Sequence, residues 1–229
     1  MRISVIIPAL NERDNLPATV ASIRDCGERC EILIVDGGSA DGTVEWAAEQ
    51  SGITVVVSAR GRGAQLNAGA KAATGDILLF LHADSLLPDG ALSLAARQLD
   101  DPGISGGAFG VAFGPSASLA LRATGLLINA RSRAFRVATG DQAIFCRRED
   151  YIRAGGFPEW PLFEDMEFVS RLRRRGRFVV GPLDVTISPR RWETFGVGRT
   201  NLLMCALYAG YRCGIRPATL KRWFADVRR

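Results

Sequence analysis

The amino-acid sequence predicts a doubly wound α/β fold, in which a mostly parallel β-sheet carries helices on both faces. Four runs in the first half of the chain are apolar throughout, as expected of strands that are buried on both faces. Each run is followed by a segment of helical character, which favours parallel strands joined by crossover helices. Polar side chains also follow the ends of these runs, where ligands bind in sheets of this kind.

The predicted elements alternate regularly up to about residue 103. The strands are ISVIIPA (3–9), EILIVD (31–36), ITVVVSA (53–59) and DILLFLHAD (76–84). The first helix starts at Asp14 or Asn15 as the N-cap, with Pro17 in its first turn. The next connections are the turn GGSADGT before the helix VEWAAEQS, the segment GRGAQLNAGAKAAT (61–74) as a glycine-rich loop running into an alanine-rich helix, and the helix DGALSLAARQLDD.

The second half of the chain follows another pattern. GGAFGVAFG (106–114) is strand-like, ASLALRATGLLINARSRAFR is a helix with an apolar face and arginines opposite, and GDQAIFCRRE (140–149) is a loop and strand. EDMEFVSRLRRRG (164–176) is an amphipathic helix, FVVGPLDVTIS (178–188) is a late strand, and the tail is helical and basic. We predict one domain over residues 1–229. Its second half, after residue 103, is specialised and forms a C-terminal extension of helices and strands.

Composition narrows the class of protein. The chain has 229 residues, of which 47% are hydrophobic and 23% charged, as in ordinary globular proteins. It shows neither a signal peptide nor an apolar run of the roughly 20 residues that a membrane span needs. Five cysteines are an odd number without an export signal, so we expect reduced thiols, most of them buried, and a cytoplasmic location.

Charge is distributed unevenly around the net value of +5, because most of the arginines lie in the second half. A basic half indicates an anionic partner, such as a phosphorylated substrate or an anionic membrane. Nucleic acid is disfavoured, since no basic stripe with interleaved aromatic residues is present. The apolar faces of 118–130 and 202–211 add peripheral membrane contact as one interpretation, and core helices under a solvated basic surface as the other.

The candidate site residues follow the predicted strands. Asn11 and Glu12, Asp36, and the pair His82 and Asp84 stand at three strand ends, where each either caps a turn or contacts a ligand. The loop around Arg60 and Arg62 has glycines and cations that suit an anion. It lacks the order of a P-loop, and no strand leads into a G-x-G-x-x-G dinucleotide motif.

Two later clusters also carry chemistry. Glu164, Asp165 and Glu167 begin a helix, where they either compensate the helix dipole or supply a general base. Arg190, Arg191 and Trp192 follow a strand, as a basic surface turn with a buried tryptophan or as a diphosphate clamp with an aromatic wall.

These segments occur in the order of one family. PALNE, VDGGSADGT, GRGAQLNAGA, LLFLHAD, GDQAIF, GGFPEWPLFEDMEF and SPRRW together resemble the inverting family 2 glycosyltransferases of the Rossmann-like GT-A fold, to about residue 210. The nearest likeness is to a subgroup associated with arsenosugar biosynthesis. The resemblance implies a nucleotide-sugar-binding half at 1–103, and an acceptor and catalytic half with a basic helical tail at 104–229.

The resemblance also implies residue roles. Asp165 is the general base, and Asp84 binds a divalent cation, Mg²⁺ or Mn²⁺, within an Asp-x-Asp-type motif whose first acid is replaced by His82. Nucleotide-sugar contacts are implied for Pro8, Ala9, Leu10, Asn11, Glu12, Asp36, Gly38, Arg62, Gln65, His82, Ala83, Asp84 and Arg191. The acceptor and sugar region is implied for Gly140, Asp141, Gln142, Glu164 and Trp192.

The implied reaction is metal-assisted transfer of a sugar, with inversion, from a nucleoside-diphosphate-sugar to an acceptor hydroxyl. A UDP-sugar is the expected donor, and a small molecule or a lipid-linked molecule the expected acceptor, with contact to the cytoplasmic membrane face as a further expectation. Two alternatives stay open. A degenerate nucleotide-sugar-binding scaffold is suggested by His82, whereas a sugar-1-phosphate nucleotidyltransferase would need an N-terminal glycine-rich loop that PALNERDN lacks.

Overall fold

The computed structural model describes residues 1–224, and it confirms the predicted α/β architecture. The strands are β1 (Ile3–Ala9), β2 (Cys30–Asp36), β3 (Ile53–Val57), β4 (Ile77–Phe80), β5 (Ile104–Phe113), β6 (Ile144–Arg147) and β7 (Arg177–Ile187). The helices are α1 (Leu16–Asp25), α2 (Thr43–Glu49), α3 (Arg62–Ala72), α4 (Ala91–Leu99), α5 (Leu119–Phe135), α6 (Arg148–Ala154), α7 (Glu164–Arg173), α8 (Arg190–Phe195), α9 (Val197–Arg212) and α10 (Pro217–Lys221). A 3-10 turn spans Gly140–Gln142.

The seven strands form one sheet in the order β3-β2-β1-β4-β6-β5-β7. β1 to β4 are parallel, β6 is antiparallel to both β4 and β5, and β7 is parallel to β5. Because β6 alone reverses direction, the carboxyl ends of the other six strands lie along one edge of the sheet. The loops that follow those strands therefore meet at this edge.

Alternation within the strands builds a core on each face of the sheet. Along β1, Ile3, Val5 and Ile7 contribute to a cluster that includes residues of α1 and α4, whereas Ile6 contributes to a second cluster with residues of α3 and α7. Successive side chains of a strand point to opposite faces, so strands buried on both faces read as continuous apolar runs. Helices therefore cover both faces of the sheet, which confirms the prediction.

Two of the differences from the predicted element boundaries affect the candidate site. The fourth strand ends at Phe80, so His82 and Asp84 lie in the loop beyond it and not on the strand. The alanine-rich helix predicted within 61–74 is present, but the loop before it is short, since α3 begins at Arg62 directly after Gly61, whose φ is 141°. Gly61 permits the backbone conformation that starts the helix here.

Three further expectations concern the burial of the cysteines, the helix at 118–130 and the basic tail. Cys26 and Cys146 are buried, but Cys205 and Cys213 are exposed, so the expected burial of most cysteines is wrong. The apolar residues of 118–130 are largely exposed on α5, so this helix is not a core helix. Residues 225–229 of the predicted basic tail lie outside the described residues. Over residues 1–224, no helix has the length and apolar character to cross a membrane.

Candidate active site

Asp165 occupies a buried position in the first turn of α7, at the edge where the strand-end loops meet. Its Oδ2 accepts a hydrogen bond from the backbone N–H of Gly140 at 2.6 Å, and its Oδ1 accepts one from the backbone N–H of Met166 at 2.7 Å. Nη2 of Arg62 lies 3.8 Å from Oδ2. The carboxylate is therefore held in one orientation by two backbone groups and one cation.

The surroundings of Asp165 shift its proton affinity upward. Burial raises the pKa of Asp165 to about 6, and the neighbouring charge of Glu164 acts in the same direction. Arg62 and the backbone donors Gly140 and Met166 oppose the rise without cancelling it. A carboxylate with a pKa of about 6 is ionised at neutral pH and is a better proton acceptor than an exposed aspartate.

The other carboxylates of this helix turn have different partners. Glu164 is 1% exposed and forms an ion pair with Nε of Arg62. Glu167 accepts a hydrogen bond from Nε of Arg171 at 2.9 Å and another from the Tyr211 hydroxyl at 3.3 Å. Arg62 thus balances both buried acids at the start of α7, and Glu167 belongs to a separate pair.

His82 lies beside this cluster. The side chains of Arg62, His82 and Asp165, with Gly140, line a common small cavity whose apolar walls include Phe80. A Cβ atom placed on Gly140 would come 2.8 Å from Nε2 of His82 and 3.2 Å from Oδ2 of Asp165. Gly140 therefore separates the imidazole from the carboxylate, and the site tolerates no side chain between them.

For the general base that the sequence predicts at Asp165, we expect Gly140→Ala to lower turnover by about 10²-fold, because a displacement of about 1 Å can have an effect of this size. The added methyl group must move either His82 or Asp165. Steady-state kinetics checks this, with Gly114→Ala as the matched control, since a Cβ on Gly114 meets no atom within 4 Å. Equal turnover of both variants would contradict the tight fit.

Asp84 belongs to a second cluster, although it is only two residues from His82. Nη2 of Arg190 donates to Oδ2 of Asp84 at 2.8 Å and lies 3.4 Å from Oε2 of Glu12. Nδ2 of Asn15 donates to the same Glu12 oxygen at 2.6 Å. The two carboxylates, one of them buried, thus converge on one guanidinium nitrogen.

This second cluster fits a cation, because two carboxylates already share one positive charge there. Carboxylate oxygens are also the ligands that Mg²⁺ and Mn²⁺ prefer. Among residues 1–224, no group of three or more His, Cys, Asp and Glu side chains could hold a metal ion. Asp84 and Glu12 therefore supply two carboxylate groups, which is short of a complete protein ligand set among residues 1–224.

Several residues of the predicted nucleotide pocket hold the backbone of this edge. The carboxylate of Asp36 accepts from the N–H groups of Gly38 at 2.8 Å and Ser39 at 3.1 Å. Nε2 of Gln65 donates to the carbonyls of Ala9 at 2.7 Å and Val35 at 2.8 Å. Both side chains are buried, so they fix the ends of β1 and β2 relative to each other.

The remaining residues of that pocket form the turn after β1. Pro8 and Ala9 are buried in β1, whereas Leu10 is half-buried. Asn11 has a φ of 54°, and its Oδ1 accepts from the N–H of Ala40 at 2.9 Å. Ala83 is also buried, and its carbonyl accepts a hydrogen bond from α1. The bond between Asn11 and Ala40 thus joins the turn after β1 to the loop after β2.

In the predicted acceptor region, Gln142, Glu164 and Trp192 are buried, whereas Gly140 and Asp141 are half-buried. Gln142 is fully buried, and its Nε2 donates to the carbonyl of Phe109 at 2.8 Å. Asp141 accepts a hydrogen bond from the hydroxyl of Thr139. Trp192 is buried against Phe113, with ring centroids 5.0 Å apart.

Arg190 is an arginine of this turn that reaches Asp84, with Nη2 2.8 Å from Oδ2. The guanidinium of its neighbour Arg191 lies 3.9 Å from the ring centroid of Phe224. The sequence could not separate these adjacent arginines, since the choice depends on which side of α8 turns toward the sheet edge. The pairing of Arg62 with Glu164 was likewise missed, because the two residues are far apart in the chain.

Comparison with known proteins decides the family. The model of the family described as "Glycosyl transferase family 2" matches residues 4–124, more than half of the chain. The chain belongs to this family. The match covers β1 to β5 and therefore includes the loops that carry Glu12, Asp36 and Asp84.

Curated relatives match shorter segments. An uncharacterized glycosyltransferase of Mycobacterium tuberculosis is 37% identical over 98 residues, which is 43% of this chain and 44% of the relative. An undecaprenyl-phosphate 4-deoxy-4-formamido-L-arabinose transferase of Pectobacterium carotovorum is 34% identical over 93 residues, 36% of this chain and 28% of the relative. The matched segments span less than half the length of these relatives.

Solved structures extend the likeness to most of the fold. A mannosyltransferase from Pyrobaculum calidifontis, in complex with GDP-Man and Mn²⁺, has a TM-score of 0.63 and 26% identity, covering 80% of this chain and 55% of that one. S. aureus TarS 1–349 has a TM-score of 0.64 and 20% identity, covering 87% and 64%. At that lower identity the likeness supports the GT-A fold alone.

Proposed function

We propose that this chain is an inverting, nucleotide-sugar-dependent glycosyltransferase in which Asp165 is the general base. The observation that carries the proposal is the buried carboxylate of Asp165, which two backbone N–H groups orient and whose pKa is raised to about 6. In the proposed reaction, Asp165 takes the proton of the acceptor hydroxyl. That oxygen bonds to the anomeric carbon as the bond to the diphosphate breaks on the opposite face.

Arg62 and Arg190 each neutralise a different pair of carboxylates in the proposed site. Arg62 is paired with Glu164 and lies near Asp165, so it keeps the base ionised. Arg190 places a positive charge beside Asp84 and Glu12, which are the residues that would hold a divalent cation. When bound, such a cation would neutralise charge on the diphosphate leaving group. The Mn²⁺ reported with the Pyrobaculum mannosyltransferase supports this part of the proposal.

The donor and acceptor are proposed by class. The family resemblance supports a UDP-sugar, and the GDP-Man complex of the Pyrobaculum enzyme supports testing GDP-sugars beside it. The undecaprenyl-phosphate substrate in the name of the Pectobacterium relative supports a lipid-linked acceptor at the cytoplasmic membrane face. A small-molecule acceptor is the other proposal, and the likeness of the sequence motifs to the arsenosugar-associated subgroup favours it.

A panel of UDP- and GDP-sugars tests the proposed function, with thermal shift for binding and chromatography for release of nucleoside diphosphate. A ligand that binds only the folded protein raises its melting temperature. Binding with acceptor-dependent release supports the transferase. Binding by the wild type without release from any donor would indicate a scaffold. Pyrophosphate formed from a nucleoside triphosphate and a sugar-1-phosphate would indicate a nucleotidyltransferase.

We expect Arg190→Gln to tighten binding of Mn²⁺ to the protein several-fold, because the guanidinium engages the same carboxylates that would hold the ion. Titration of Mn²⁺ followed by electron paramagnetic resonance measures the free ion directly. Arg191→Gln is the matched control, since Arg191 stacks on Phe224. Asp84→Asn should weaken Mn²⁺ binding in both backgrounds. Unchanged affinity in Arg190→Gln would show that Asp84 and Glu12 do not contact the ion.

A further inference from the structure

Helix α5 turns its large apolar side chains toward solvent. Leu119 is 84% exposed, Leu126 71% and Leu127 69%. Its buried residues are Leu121, Thr124, Gly125, Asn129 and Ser132. Four of these five are small or polar, so the helix is the reverse of an ordinary surface helix, whose apolar stripe faces the core.

Hydrogen bonds hold α5 in this orientation. The side chain of Asn129 accepts from the N–H of Val111 at 2.7 Å and donates to its carbonyl at 3.0 Å. The hydroxyl of Ser132 donates to Oε1 of Gln142 at 3.0 Å. Turning the helix to bury its leucines would leave these buried polar groups without partners, at a cost for each. The exposed apolar stripe is therefore part of the stable fold.

Cations flank the apolar stripe, and α5 has no Asp or Glu. With 3.6 residues per turn, residues 119, 123, 126, 127 and 130 share the outer face of the helix. Arg122 and Arg133 then lie along one side of the stripe, where Nη2 of Arg133 is also 3.6 Å from Oδ1 of Asp184, and the half-buried Arg131 lies along the other. Apolar residues between basic flanks are typical of a helix that lies in the plane of a membrane interface.

The inner side of α5 contacts α9, which in turn contacts α8, the helix that carries Arg190. Nδ2 of Asn201 donates to the hydroxyl of Thr124 at 2.8 Å, which joins α9 to α5. Leu202, the next residue, is 73% exposed. Nε1 of Trp192 donates to Oδ1 of Asn201 at 2.9 Å, and Trp192 lies on α8 with Arg190. These contacts join α5 through α9 to α8, whose Arg190 pairs with Asp84.

We propose that the outer face of α5, together with Leu202, docks onto an anionic membrane surface. Charge complementarity selects this partner, because phospholipid phosphates match the arginines while the acyl region receives the leucines. A second copy of the chain would bring arginines against arginines without a carboxylate on α5 to separate them. The inference does not depend on sugar transfer, so membrane binding is measured without donor or acceptor.

Flotation with vesicles tests the proposal. We expect the wild type to float with vesicles of phosphatidylcholine and phosphatidylglycerol at low salt, less at high salt, and weakly with phosphatidylcholine alone. Leu126→Asn with Leu127→Asn should lower binding more than about tenfold, because two apolar side chains no longer enter the interface. Arg122→Gln with Arg133→Gln should lower binding about 25-fold, at about fivefold for each cation.

The matched control removes two equally exposed apolar side chains elsewhere, as Val57→Asn with Ile152→Asn, where the wild-type residues are 74% and 66% exposed. This control should bind vesicles like the wild type, and all variants should keep the wild-type melting temperature. The proposal is overturned if the wild type does not float at low salt, or if the control loses as much binding as the α5 variants. It is also overturned by a second combination of results. In that case the wild type does not bind vesicles, and light scattering shows that it is a dimer whereas the α5 leucine variant is a monomer.

Discussion

Asp165→Asn is expected to lower kcat by about 10²–10⁴-fold, the usual contribution of a general base, while the Kd of the donor stays nearly unchanged. The amide keeps an oxygen that can accept the N–H of Gly140 but cannot take a proton from the acceptor. Steady-state kinetics for kcat and calorimetry for donor binding separate the two quantities. A variant that turns over normally would remove Asp165 from the role of base.

Glu167→Gln provides the control for that experiment. Glu167 lies in the same helix turn, but its carboxylate is paired with Arg171 and Tyr211. Its replacement should cost much less activity. If both variants lose activity and melting temperature together, the acidic cluster serves only to stabilise the start of α7.

The raised pKa of Asp165 also predicts two pH dependences. Activity should fall about tenfold per pH unit below about pH 6, where the base becomes protonated. Because the pKa is higher in the folded state than in the unfolded chain, the folded state binds more protons between about pH 4 and pH 6. Stability from this group is thus lost as pH rises through that window. As pH rises from 4 to 6, the melting temperature of the wild type should therefore fall relative to that of Asp165→Asn, because the amide does not titrate.

Arg62→Met is expected to have the largest effect on stability. It removes the partner of Glu164, which is 1% exposed, and leaves two buried carboxylates beside each other. Breaking a buried pair costs about 3–5 kcal/mol, and we expect about 3 because the Arg62 side chain is 34% exposed. For a chain of this size, the melting temperature should fall by roughly 6–12 °C.

The same substitution should move the acidic limb of the pH–rate profile upward, since Arg62 lowers the pKa of Asp165. Arg60→Met is the matched control, because Arg60 is an exposed arginine two residues away. Calorimetry and a pH–rate profile of both variants check the two effects. An Arg62→Met protein with the stability and the pH profile of Arg60→Met would contradict the assigned charge balance.

Local sequence patterns predicted the strands, the helices and the edge at which polar residues gather. β1 and β2 read as apolar runs because both faces of each strand are buried, and that pattern needs no knowledge of tertiary contacts. The direction of β6 was not predictable in this way. Its antiparallel pairing with β4 depends on a long connection through α4, β5 and α5.

The arrangement of the site depended on contacts that the sequence does not display. His82 and Asp84 resemble one motif, yet His82 lies beside Gly140 and Asp165 while Asp84 pairs with Arg190. These partners come from distant segments, so no local spacing selects them. For α5, the periodicity revealed an apolar face but not its direction, which Asn129 sets through its bonds to Val111.

The stereochemistry of the product tests the central proposal most directly. With the donor and acceptor that give the fastest release of nucleoside diphosphate, proton NMR follows the anomeric signal of an α-linked nucleotide-sugar during turnover. We predict that a β-linked glycoside appears at the rate at which the nucleoside diphosphate forms, and that Asp165→Asn slows both equally. An α-linked product, or release of nucleoside diphosphate that Asp165→Asn leaves unchanged, would contradict inversion by this base.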